Sequence, residues 1–114
     1  MKLVVAYVRD FMAPEVMNRL KELGVPGMSA IDVKEVGSEI SKELLLEHLE
    51  VSGELDSTYT RMVKIEMVLS ESEVEKVVKE ICGTARTGKT GDGIVSVAPV
   101  DEVTKIRNGE KITE

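Results

Sequence analysis

A chain of 114 residues has room for one domain with a modest core, and self-association would add to its stability. A charged fraction of 32% beside a hydrophobic fraction of 42% is that of an ordinary globular chain, and a net charge of −6 excludes a nucleic-acid binder, because no basic face would offset it. The single cysteine, Cys82, excludes an internal disulfide framework and fits a reducing compartment. The apolar run Leu3-Val4-Val5-Ala6 is too short for a signal peptide or a membrane span. A cytoplasmic location without direct membrane insertion is the expectation.

Lys2 to Arg9 is β-branched and bounded by polar residues, so it reads as a strand. Ala13-Pro14-Glu15 opens a helix, with Pro14 where a missing N–H costs nothing and Glu15 facing the positive end of the dipole. Val16, Leu20 and Leu23 share a face, and Gly24 ends the helix. A second strand follows over 28–36, with Ile31 and Val33 on one side and Asp32 and Lys34 on the other. The clearest alternation runs over 62–69: Val63, Ile65, Met67 and Leu69 point one way. Ser70-Glu71-Ser72-Glu73 then forms a capping-box pattern for a helix over 71–82, whose buried stripe is Val74, Val77, Val78 and Ile81. A last strand covers 94–100, and 101–114 is a tail.

The order β-α-β, long connection, β-α-β predicts an α+β, ferredoxin-like βαββαβ domain, with an antiparallel sheet and both helices on one face. The other face needs a cover, and a second copy of the chain is the expected one. Residues 40–61 exceed what the sheet needs, and connections that long are usually functional. Within them Leu44, Leu45 and Leu49 lie near one helical face, so 41–51 reads as an amphipathic helix that either projects from the body or buries its stripe.

Between the second helix and the last strand lies Arg86-Thr87-Gly88-Lys89-Thr90-Gly91-Asp92-Gly93. Its glycines let backbone N–H groups turn inward, and Arg86 and Lys89 add positive charge, a combination suited to phosphate. Residues 83–90 also satisfy the Walker A pattern. A true P-loop, however, leaves a strand and opens a helix, and here the order is reversed. No histidine lies near this loop to activate a hydroxyl, so the chain is not expected to be an enzyme. His48, beside Glu43 and Glu47, lacks a second histidine to complete a metal site, and Cys82 reads as a small core residue.

These segments together resemble the P-II family of nitrogen and carbon signalling proteins. The resemblance is carried by residues 24–29 (GVPGMS), 33–37 (VKEVG), 63–66 (VKIE), 85–93 (ARTGKTGDG) and 105–110 (KIRNGE). It implies a homotrimer that binds an adenine nucleotide (ATP, ADP or AMP, with magnesium possible beside ATP) in clefts between subunits. It also implies that the long loop, 40–61, acts on a protein partner, a transporter or metabolic enzyme.

By position, Ser29 and Gly37 would border base and ribose, with Ser38 and Glu39 following. Arg86, Thr87, Gly88, Lys89, Gly91, Asp92 and Gly93 would make the phosphate-side loop, and Lys105 and Arg107 would reach the phosphates from a neighbouring subunit. The chain departs from the family pattern at Ile94, where a lysine is usual, at Lys105, where an arginine is usual, and at Glu39, where a glutamine is usual. Those departures imply weak discrimination among ATP, ADP and AMP and little response to 2-oxoglutarate. Two other readings share features with the chain. A CutA-type trimeric metal-tolerance protein has the same fold, and a slow ATPase would need Asp92 or Glu39 to activate water.

Overall fold

In the computed structural model of the chain, residues 1–36 and 59–114 are described. The expected helix 41–51, His48 with Glu43 and Glu47, and the site positions Gly37, Ser38 and Glu39 lie outside the described residues. The elements are β1 (Lys2–Arg9), a 3-10 turn (Asp10–Met12), α1 (Ala13–Glu22), β2 (Ser29–Glu35), β3 (Thr60–Leu69), α2 (Glu71–Ala85) and β4 (Gly93–Pro99). They form a four-stranded sheet in the order β2-β3-β1-β4 with every neighbouring pair antiparallel, the ferredoxin-like arrangement.

Alternation along the two central strands divides the sheet into a covered and an open face. Val4, Ala6 and Val8 of β1 and Val63, Ile65, Met67 and Leu69 of β3 are buried in one cluster with Ala13, Val16 and Leu20 of α1 and Val77, Ile81 and Ala85 of α2. The opposite face carries Leu3, Val5 and Tyr7, all only half-buried, beside Ile31 and Ile94, which are exposed. Near its middle, Lys64 and Glu66 pair at 2.7 Å, and Glu66 holds the Lys64 ammonium above its ordinary pKa.

α1 stops as its sequence requires. Gly24 takes a left-handed φ of 88°, its N–H donates to the Lys21 carbonyl, and the Val25 N–H donates to the Leu20 carbonyl. This is the double closure that a glycine after the last turn permits.

α2 differs from the sequence reading at both ends. It runs through Gly83 to Ala85 rather than ending at Cys82, because Ala85 adds a buried contact and nothing crowds Gly83. Ser70 is the N-cap, but its side chain makes no capping hydrogen bond, so the capping box does not form. A different amide of the first turn is capped from a distance, by Glu114. Its carboxylate accepts the Glu71 N–H at 3.1 Å and also contacts the Met1 amine, and those contacts hold its carboxyl below the usual range. Among the described residues, no helix is long and apolar enough to cross a membrane.

Candidate functional site

The glycine-rich loop is organised around one carboxylate. After α2, Arg86 becomes extended and the chain then turns through Gly88 and Gly91, whose φ angles of 86° and 97° suit glycine. Asp92 closes the turn. Its Oδ2 accepts the N–H groups of Thr87 (2.8 Å) and Gly88 (2.9 Å), and its Oδ1 accepts the Thr87 hydroxyl. The Lys89 N–H in turn donates to the Thr87 hydroxyl oxygen at 3.2 Å.

A second clamp comes from the end of β1. Arg9 Nε donates to Asp92 Oδ1 at 3.2 Å, and a terminal nitrogen of the same guanidinium donates to the Thr90 carbonyl at 2.9 Å. Partial burial pushes the Asp92 carboxyl up, but the bonds from Thr87, Gly88 and Arg9 outweigh it and bring the pKa down to about 2. A carboxylate so committed is a poor base, which removes Asp92 as one of the two residues that a slow ATPase would have used; the other, Glu39, lies outside the described residues. Arg86 and Lys89, by contrast, stay exposed and form no ion pair among the described residues.

Gly93 ends the loop and starts β4. Its φ is 111°, and a Cβ built there would lie 1.7 Å from the Tyr7 carbonyl oxygen, so this position admits only glycine. The loop thus lies against the β1 backbone, above a cleft of about 220 Å³ lined by Tyr7, Ile81, Cys82, Ala85 and Arg86 among others. Cys82 is half-buried on that cleft rather than in the core.

The tail is a small hairpin. Thr104 bridges Lys111, the Lys105 N–H donates to the Glu110 carbonyl, and Gly109 supplies the left-handed turn at φ 71°. Lys105 and Arg107 sit on it, exposed. Both ends of the tail are fastened near Met1, through the Val100 N–H to the Met1 carbonyl and through Glu114. The glycine loop stands at the other end of β1, beside Val8 and Arg9. Eight residues of strand separate the two ends, about 23 Å at the usual rise.

Ser29 lies on the far edge strand, paired with Glu66, with two strands between it and β4. One chain therefore brings together Arg86, Thr87, Gly88, Lys89, Gly91, Asp92 and Gly93. Ser29 stands apart on one edge, and Lys105 and Arg107 on the tail.

Arg9 is the residue that sequence reasoning missed. It stands at the end of a strand with nothing local to mark it, and only the β1–β4 register carries it to the loop.

The chain matches the family described as nitrogen regulatory protein P-II over residues 1–110. It is 37% identical over 114 residues to nitrogen regulatory protein P-II of Synechocystis sp., a match covering all of this chain and 98% of that one. It is 35% identical over 111 residues to the P-II protein of Azospirillum brasilense, covering 97% and 96% of the two chains. A P-II homolog of Oryza sativa subsp. japonica is 36% identical over 108 residues, covering 95% of this chain and half of the rice protein.

Proposed function

The chain belongs to the P-II family of nitrogen regulatory proteins, which are signalling proteins rather than enzymes, and from that premise we propose that it binds an adenine nucleotide in clefts between the subunits of a homotrimer. Nucleotide occupancy is reported through residues 40–61 to a transporter or metabolic enzyme in the cytoplasm. The observation that carries this reading is the dispersal of the basic groups. The loop presents Arg86 and Lys89 at one end of the sheet, while the tail bearing Lys105 and Arg107 is fastened at the other. Cations so placed converge on one phosphate chain only when a second copy supplies the tail, and a site split in this way exists only in the oligomer. The open apolar sheet face gives that second copy a surface to cover.

Two measurements test the proposal. Light scattering after size exclusion is expected to give a trimer, and a stable monomer at micromolar concentration overturns the shared cleft. In calorimetry, Arg107→Ala is expected to weaken nucleotide binding by about 1.5–3 kcal/mol, the scale of a charge-assisted hydrogen bond. Unchanged affinity would mean that the tail does not reach the phosphates.

Nucleotide preference should follow the charge inventory. Ile94 is exposed, lies across from Tyr7 in the β1–β4 register, and offers no charge. Lys105 offers a point charge where a guanidinium would give two parallel donors. Weak discrimination among ATP, ADP and AMP is therefore expected, and Ile94→Lys should favour ATP by about 1–3 kcal/mol if the ammonium reaches the terminal phosphates. A strong ATP preference in the parent chain, unmoved by Ile94→Lys, contradicts this account of the site.

A further inference from the structure

A second concavity, of about 290 Å³, lies between the start of β3, the β2 edge and the 3-10 turn, lined by Asp10, Asp32, Val33, Lys34, Arg61 and Met62. Its charges are arranged unusually. Lys34 and Arg61 are direct cross-strand partners, so two cations stand side by side on one sheet face, a pairing that destabilises a sheet unless an anion relieves it. Among the described residues no carboxylate supplies that relief, since neither Lys34 nor Arg61 makes an ion pair there. The Lys34 ammonium instead rests 4.8 Å from the centre of the Tyr59 ring.

The acids of the same cleft are equally unmatched. Asp32 and Asp10 form no ion pair among the described residues, and Asp10 accepts only the neighbouring Phe11 N–H, at 2.8 Å. Charges on an edge strand commonly serve to deter pairing with other sheets, which would account for Asp32 and Lys34 on β2. That explanation does not reach Arg61, which belongs to the interior strand β3, or Asp10, which lies beyond β1.

We propose that this cleft binds a small zwitterion of the α-amino-acid class, its carboxylate between Lys34 and Arg61 and its ammonium toward Asp32 and Asp10. Two cations and two carboxylates that line one concavity without neutralising each other are complementary to a ligand carrying both signs. The volume, near the lower end for ligand pockets, suits a metabolite of that size rather than a nucleotide. The cleft contains none of the glycine-loop or tail residues, so the proposal stands apart from the nucleotide reading.

The test is a titration of the isotopically labelled full chain with glycine, glutamine and lysine, followed by amide NMR, with acetate and methylammonium as single-charge probes. Saturable shifts centred on residues 32–34 and 61 are expected with the amino acids. Arg61→Gln and Asp32→Asn should each weaken amino-acid binding about tenfold or more, the scale of one charge-assisted hydrogen bond. Arg107→Ala should leave it unchanged. Retained nucleotide affinity in Arg61→Gln would show that the variant is folded. An equal response to acetate that Asp32→Asn leaves intact would reduce the cleft to an anion site and overturn the zwitterion assignment. So would the absence of saturable shifts with every amino acid.

Discussion

Gly93→Ala is expected to cost about 4 kcal/mol or more, a large part of a typical domain's stability. Two causes act together. A φ of 111° is strained for any side chain, and the new Cβ would fall 1.7 Å from the Tyr7 carbonyl oxygen and 2.8 Å from its carbon. Those atoms belong to the central strand β1, which pairs on both sides and cannot retreat without breaking a ladder. Gly88→Ala is the control. Its φ is also positive, but nothing lies within 4 Å of the built Cβ, so only the backbone penalty of about 1–2 kcal/mol applies. Urea unfolding at fixed protein concentration compares the two, and a loss below about 1 kcal/mol in Gly93→Ala would contradict the close approach.

Asp92→Ala should cost about 1.5–3 kcal/mol and disorder the loop, because two N–H groups, a hydroxyl and the Arg9 guanidinium lose their common acceptor. Nucleotide affinity should fall with it even though the carboxylate repels phosphate. A variant that binds nucleotide more tightly would mean that Asp92 acts through its charge and not through the loop it holds. The same residue sets an acid limit. Its folded pKa of about 2 lies below the ordinary carboxylate value, so its contribution is complete above about pH 4 and is lost as the pH falls through about 2. Asp92→Asn should lack that portion of the acid transition. An identical acid profile in the parent and Asp92→Asn would place the transition elsewhere.

What could be read from the sequence depended on range. Period-two alternation marked Val63, Ile65, Met67 and Leu69 as the inward face of β3, and these residues are buried. Gly24 marked the end of α1 because a left-handed cap is a property of one residue and its immediate neighbours. The glycine loop was legible as a turn for the same reason. Its anchor was not: Arg9 reaches Asp92 from 83 positions away, and only sheet register brings them together. The failed capping box has the same origin. Ser70 and Glu73 stand at the right spacing, yet the Ser70 side chain makes no capping bond, and the first-turn amide that gains a side-chain acceptor is that of Glu71, from Glu114, 43 residues on. Local chemistry proposes such bonds, and long-range competitors decide them.

The sheet order also dictates a schedule for synthesis. β1, the first strand made, lies at the centre of the sheet, and its two neighbours are β3 at 60–69 and β4 at 93–99. At ribosomal speeds of about 5–20 residues per second, β1 waits some 3–12 seconds for its first partner and 5–18 seconds for its second. Through that interval the run Leu3 to Val8 is an apolar strand with both edges open, the kind of segment that pairs with other nascent chains. The chain should therefore depend on chaperone holding at the ribosome more than its small size suggests. A permuted chain that begins at β3 would present β3, α2, β4 and then β1, so that β1 meets both partners as it is made and the wait passes to β3, the other interior strand.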